Sequence, residues 1–339
     1  MGTALPITNH TISISNHTIR VTSMAILVTG AAGFIGSHLL QLLLSETSES
    51  IVGIDNFNDY YDPQLKRANA RLFEHQPRIT FVEADFCHEA AVDLLFRQYR
   101  FDRVVHLGAY AGVRVSVETP LIYQQVNVGG TLVLLEAARK WPVQRFLIAS
   151  SSTVYGTGAA VPFTEDAPLG IPASPYGATK RAAELLGLTY HQLHQVPVVC
   201  LRPFSVYGPR LRPDLALTIF TKAIYSGNEV RLFGDGSVRR DFTHVSDICR
   251  GLLAALDAPH AIGETINLGH SQPIEMRQLI ELLSQSLERH AKINYQPARS
   301  EDLPITFANL EKAQRLLGYH PEVPIEQGIQ EYCDWFRQL

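Results

Sequence analysis

The chain has few of the residues that would tie it to a metal, a disulfide framework or a membrane. Four cysteines occur in 339 residues, Cys87, Cys200, Cys249 and Cys333, and they stand far apart. No CxxC pair or ligand cluster is present, so no metal site is expected, and reduced structural thiols in a cytoplasmic protein are the simplest reading. A run of about 18 apolar residues is also missing, which excludes a helical membrane span. Residues 1–23 are rich in Thr, Ser, Asn and His and lack the apolar centre of a signal peptide. They read as a flexible N-terminal tail. Two glycosylation-form tripeptides there, Asn9-His10-Thr11 and Asn16-His17-Thr18, are read as chance. Charge of either sign is not in excess: 29 Lys and Arg face 33 Asp and Glu, a net charge of -4. That balance argues against a nucleic-acid or membrane partner. A phosphorylated ligand would have to be held by helix N-termini and placed arginines.

What is present is a core. Hydrophobic residues make up 46% and charged residues 18% of the chain, enough for a large α/β domain with a smaller lobe. From Met24 onward, short apolar runs alternate with helical stretches. Ala25 to Val28, Ile51 to Ile54, Ile79 to Val82, Arg103 to Leu107, Arg145 to Ala149 and Val198 to Leu201 read as strands buried on both faces. Alternation of this kind predicts an α/β fold, a Rossmann-type doubly wound parallel sheet. After Leu201 the pattern loosens, with Pro203, Gly208, Pro209 and Pro213 breaking the chain. We therefore expect a dinucleotide-binding domain over 24–201, a return segment near 243–268, and a C-terminal lobe over 202–339 that holds the second ligand.

The first strand runs into Thr29-Gly30-Ala31-Ala32-Gly33-Phe34-Ile35-Gly36 and then a helix. Glycines at 30, 33 and 36 suit a tight turn, close approach of a pyrophosphate, and packing of helix on strand. The spacing is GxxGxxG rather than GxGxxG, and a Gly-rich turn alone is weak evidence. Asp55 ends the second strand, where a carboxylate can accept hydrogen bonds from ribose hydroxyls and would repel a 2′-phosphate, so NAD is favoured over NADP. Asn56 follows, with no arginine beside it. Asp85 is expected at the end of the third strand, near the adenine or simply as a loop acid.

Tyr176 and Lys180 are spaced i, i+4 on a helix expected from Tyr176 to His194, with Ser174 as cap and Pro175 in the first turn. Ser150-Ser151-Ser152 follows the fifth strand, at the carboxyl end of the sheet. A tyrosine serving as base near neutral pH must shift by roughly three units, about 4 kcal/mol, from its free value. Lys180 and a positive nicotinamide ring are expected to supply that shift. A Tyr-x-x-x-Lys pair by itself is common on helices; the cradle and the serine run are what make it a site.

These stretches, with Asn127 in Val126-Asn127-Val128-Gly129-Gly130, Ser151 to Gly156, Arg202 to Pro213 and Arg240-Asp241-Phe242, resemble the extended short-chain dehydrogenases/reductases, specifically their nucleotide-sugar epimerases and dehydratases. The resemblance runs from Met24 to about Tyr319. It implies a catalytic triad of Ser151, Tyr176 and Lys180. It also implies a cofactor site that includes Phe34, Ile35, Asp85, Phe86, Leu107 and Asn127. The 4,6-dehydratases of the family carry Asp-Glu where this chain has Ser152-Thr153, and the decarboxylases carry a Glu in the second place. Epimerisation remains.

Within the family, Asp55 to Asp62 and Gly208 to Asp214 are similar to the UDP-glucuronate 4-epimerases. That similarity places Arg212 beside the sugar carboxylate, with Ser151, Ser152, Thr153 and Ser205 around the sugar. Arg240 and Arg299 would hold the UDP diphosphate, Asp302 the uridine ribose, and Arg114 faces the cleft or the surface. A homodimer is the family's usual state. A UDP-glucose or UDP-N-acetylglucosamine 4-epimerase is the alternative, and a non-catalytic NAD-binding regulator a remoter one.

Overall fold

The computed structural model describes residues 25–298 and 303–339. The expectations for the N-terminal tail and for Arg299 and Asp302 therefore lie outside the described residues. The first eleven strands in chain order are β1 (Ala25–Thr29), β2 (Ser50–Asp55), β3 (Ile79–Glu83), β4 (Phe101–His106), β5 (Arg145–Ala149), β6 (Val198–Pro203), β7 (Ser205–Tyr207), β8 (Glu229–Phe233), β9 (Arg239–Arg240), β10 (Phe242–His244) and β11 (Thr265–Leu268). Seven of them form one sheet in the order β11-β6-β5-β4-β1-β2-β3, and every pairing in it is parallel. The order reverses between β1 and β4, the switch point where ligands bind in doubly wound sheets.

Alternation along each strand explains why the sheet is buried on both sides. Ile26 and Val28 of β1 face one apolar layer and Ala25 and Leu27 the other; Val199 and Leu201 of β6 oppose Val198 and Cys200 in the same way. Helices α1 (Phe34–Glu46), α2 (Pro63–Arg71), α3 (Glu89–Tyr99), α4 (Val113–Glu118), α5 (Pro120–Tyr123), α6 (Thr131–Lys140) and α7 (Pro175–His194) alternate with the strands. Further along come α8 (Ala216–Tyr225) and α9 (Val245–Asp257). Helix α9 packs on α1, and the chain then enters the sheet as β11. Smaller pairings, β7 with β10 and β8 with Lys292–Gln296, build the C-terminal part. No helix among the described residues is long and apolar enough to cross a membrane.

The expected strands all form, and β5 has the expected bounds. One placement is corrected. Strand β3 stops at Glu83, so Asp85 does not end it. Asp85 instead accepts from Cys87 N (2.8 Å) and Asn56 Nδ2 (3.3 Å), an acid folded into the following turn.

Helix α7 is stapled to the sheet by a buried ion pair. Glu184 receives Arg202 Nε at 2.8 Å and Nη2 at 2.9 Å, and both side chains are 4% exposed. Arg202 also lies over the Tyr155 ring at 4.7 Å. Removing one partner leaves a buried charge uncompensated, which costs about 3–5 kcal/mol. Glu184→Ala should lose that much unfolding free energy in denaturant titrations. A loss below about 1 kcal/mol would contradict this reading of the pair.

Candidate active site

The turn after β1 is built as the glycine spacing demands. Gly30 has φ +65° and approaches Gly108 so closely that a Cβ would stand 2.9 Å from its backbone. A Cβ on Gly36 would meet Gly30 O at 2.2 Å, so this glycine serves helix-to-turn packing. Gly33 differs: a Cβ there would touch only Gly30 O, at 3.1 Å, and its outer side is open. Gly33 is also the N-cap of α1 and offers no side-chain cap. The first-turn N–H groups at Phe34 and Ile35 thus lie where an anion can take them.

Asp55 ends β2 with its carboxylate 7% exposed. Oδ2 accepts from Ala32 N (3.3 Å) and Oδ1 from Phe57 N (2.9 Å), tying the cradle to the second strand. Burial pushes this carboxyl above its ordinary value, against the pull of Lys66 and the two backbone donors. Phe86 closes the floor. Glycine is required at 108 and 130 because a Cβ at either would meet the Phe86 ring, at 2.5 and 2.4 Å. Leu107, half-buried, directly follows β4.

Asn127 sits in a π-helical segment, Gln124–Gly130, between α5 and α6. Its side chain accepts from Tyr110 N (2.8 Å) and donates to Tyr110 O (2.9 Å) and Thr179 Oγ1 (3.1 Å), which ties α7 to the loop after β4. Beneath it lies a hydrogen-bond chain whose protons are fixed by elimination. Thr131 Oγ1 donates to Asn127 O (2.6 Å) and must accept from His106 Nε2 (3.0 Å). Nδ1 of His106 then accepts the Thr29 hydroxyl (2.7 Å), while Thr29 Oγ1 accepts from Gly108 N (3.0 Å). Burial holds His106 down to about 3, so it is neutral, as this arrangement requires.

Ser151, Tyr176 and Lys180 converge past the end of β5. Ser174 caps α7 by accepting from Gly177 N (3.2 Å), which sets Tyr176 in the first turn. Ser151 Oγ accepts from Thr153 N (3.2 Å) and Thr153 Oγ1 (3.0 Å). Its single proton is therefore left to give to another oxygen, and Ser151 is among the groups that pull the Tyr176 phenol down. Ser152 starts the short 3₁₀ turn Ser152–Tyr155.

Lys180 is anchored at the end of β5. The residue is 6% exposed, and its ammonium donates to Ala149 O at 2.8 Å. Burial pushes the Tyr176 phenol above its ordinary value; Ser151 and Arg212 pull it down, and Tyr60 adds to the rise. Lys180 itself is pushed down to about 8 by burial, partly opposed by Glu184.

Other expected residues are distributed around this centre. Arg212 is neither exposed nor unpaired: it forms a fork with Asp214, Nε to Oδ1 at 3.0 Å and Nη2 to Oδ2 at 2.7 Å. Ser205 opens β7, just past the carboxyl end of β6. Arg240 donates to Leu303 O (2.7 Å) from β9. Arg114 of α4 lies over Phe233 of β8, its guanidinium 5.8 Å from the ring. Several site residues carried no sequence signal of their own: His106, Tyr123, Thr131 and Thr179. Only the pairing of distant segments reveals them.

The buried ammonium makes a pH prediction. Between about 8 and the unfolded value of 10.5, the unfolded chain binds the proton that the folded chain releases. Stability attributable to this site rises with pH across that window, and the penalty is complete below it. Relative to Lys180→Met, the wild type should gain about 3 kcal/mol in denaturant titrations as pH crosses it. A difference independent of pH would contradict the assignment.

Comparison with known proteins finds relatives over most of the chain. The chain is 40% identical over 311 residues to a UDP-glucuronate 4-epimerase of Thermodesulfobacterium geofontis, covering 91% of this chain and 95% of that one. Its fold matches the crystal structure of the Bacillus cereus UDP-glucuronic acid 4-epimerase with UDP-glucuronic acid and NAD. The TM-score is 0.88, with 37% identity over 93% of this chain and 99% of that one. A UDP-glucose 4-epimerase of Thermotoga maritima with UDP-glucose matches at TM-score 0.85 and 31% identity, covering 93% and 99%. The GDP-mannose 4,6 dehydratase family description matches residues 27–332. This chain belongs to that family of extended short-chain dehydrogenases/reductases.

Proposed function

We propose that the chain is an NAD-dependent UDP-glucuronate 4-epimerase, interconverting UDP-glucuronate and UDP-galacturonate. The observation that carries the substrate is Arg212. Its guanidinium lies over Tyr60, from which ring contacts lead through Tyr110 and Tyr123 to Tyr176, and it pulls the phenol down, which supports a cation on the side of the site where a uronate carries its carboxylate. Ser152 and Ser205 are the serines left to donate to that carboxylate. No carboxylate is among the groups that shift Tyr176. With Ser152 and Thr153 in place of the dehydratase acids, this argues against water elimination.

The cradle fits a dinucleotide. Gly33 leaves its outer side open, α1 has no cap of its own, and Asp55 favours an unphosphorylated ribose. NAD in that site supplies the acceptor, and then the donor, for hydride at the sugar C4. Tyr176 removes the 4-hydroxyl proton and later returns it, with Ser151 donating to the same oxygen. Lys180 holds the end of β5 against α7 and so keeps Ser151 and Tyr176 in register. The 4-keto sugar is a β-keto acid. Arg212 and the serines hold its carboxylate near the ring plane, where the C5–C6 bond is poorly aligned for loss of CO2.

A homodimer is proposed from the family resemblance and from apolar side chains left exposed on neighbouring helices: Val117 on α4 (63%), Leu121 on α5 (83%) and Leu185 on α7 (59%). Leu121→Asp with Leu185→Asp should convert a sedimenting dimer to monomer. A wild-type monomer would contradict the assembly.

Incubated with UDP-glucuronate and no added NAD, the purified protein should form UDP-galacturonate, and Tyr176→Phe should lower kcat by about a hundredfold or more. Turnover of UDP-glucose in preference to UDP-glucuronate would replace the proposed substrate.

A further inference from the structure

We propose that Tyr60 and Asp214 are positioning residues that fix the Arg212 guanidinium so that one edge of it is left for a uronate carboxylate. This rests on the substrate reading above and extends it to how the arginine is held.

The geometry is two-sided. Asp214 takes the side-on edge of Arg212, Nε and Nη2, in a fork of 3.0 and 2.7 Å. The guanidinium lies over the Tyr60 ring at 5.4 Å, and the Tyr60 hydroxyl donates to Asp214 Oδ2 at 3.4 Å. Tyr60 is itself confined. A Cβ on Gly112 would stand 2.3 Å from its hydroxyl, so only glycine at 112 admits the ring. An edge-on aromatic run continues from Tyr60 to Tyr110 (5.5 Å), Tyr123 (5.8 Å) and Tyr176 (6.2 Å). Arg212 is thereby placed relative to the reacting tyrosine through side chains from separate chain segments.

A guanidinium has five N–H groups in one plane. Asp214 uses the Nε hydrogen and one on Nη2. The Nη1 pair and the second Nη2 hydrogen have no acceptor among the described residues. That end-on edge is a second fork of the shape a carboxylate fits. Asp214 is therefore not in the substrate's place; it occupies the other edge and stops rotation of the plane. Released from Asp214 or from the Tyr60 ring, the arginine could follow the carboxylate out of the ring plane. The C5–C6 bond would then break, its electron pair forming the C4–C5 enolate. Water would protonate C5, CO2 would leave, and a 4-keto pentose would remain with the dinucleotide still reduced.

The test compares the full-length wild type with Asp214→Asn, Asp214→Glu and Tyr60→Leu, with UDP-glucuronate as substrate. Asp214→Asn and Tyr60→Leu should each raise KM about tenfold while kcat changes by about threefold or less. Both should raise the ratio of pentose to galacturonate product severalfold, with growth of the reduced-dinucleotide absorbance. Asp214→Glu should restore most of the loss. If Asp214→Asn does not fold, Tyr60→Leu decides on the same readings. Wild-type KM and product ratio in the variants, or equal loss of kcat and kcat/KM with no pentose, would overturn the proposal. A wild-type chain inert toward UDP-glucuronate would remove the substrate reading itself, and is told apart because no variant is involved.

Discussion

Burying the Lys180 ammonium is the constraint around which the catalytic end of the sheet is arranged. A cation taken out of water must find an acceptor, and here it is the Ala149 carbonyl, the last residue of β5. One turn further along α7, Glu184 meets Arg202 of β6. Two successive rungs of one helix are thus bonded to two neighbouring strands. The first turn of that helix, where Tyr176 sits, has little freedom to move relative to Ser151, which follows β5. Loss of solvation at Lys180 is offset by a rigid relation between the two reacting hydroxyls.

The opposite wall is made differently. A π-helical segment places Asn127 so that both its backbone carbonyl and its side chain are used, the one by Thr131 and the other by Tyr110 and Thr179. Departures of this kind from α-helix recur at functional sites. The neutral His106 below it joins the first strand to this wall through Thr29. The cradle, the Asn127 wall and the α7 face therefore share one continuous polar network, with Phe86 as its apolar floor.

Much of this was legible in the sequence because it is local. Periodicity and glycine punctuation located the sheet, and Ser174-Pro175 announced the start of α7. Spacing put Tyr176 and Lys180 on one face. What escaped was whatever depends on pairing distant segments. Asp85 looked like a strand end because the apolar run continues to Val82 and nothing local shows where pairing stops. That the Lys180 ammonium also bonds the Ala149 carbonyl of β5 is something i, i+4 spacing cannot show. Arg212 was readable only by family resemblance, and the same stretch ends on Asp214 without showing that its carboxylate pairs with Arg212.

The central claim is that the protein alone leaves Tyr176 reluctant to ionise, and that the positive dinucleotide completes the shift. Burial outweighs Ser151 and Arg212 in the free chain. The most direct measurement is an NMR titration of ring-labelled Tyr176, in the protein stripped of dinucleotide and again with oxidised NAD bound. The account predicts a midpoint above that of free tyrosine in the stripped protein and below it with NAD. The same midpoint in both states would contradict it.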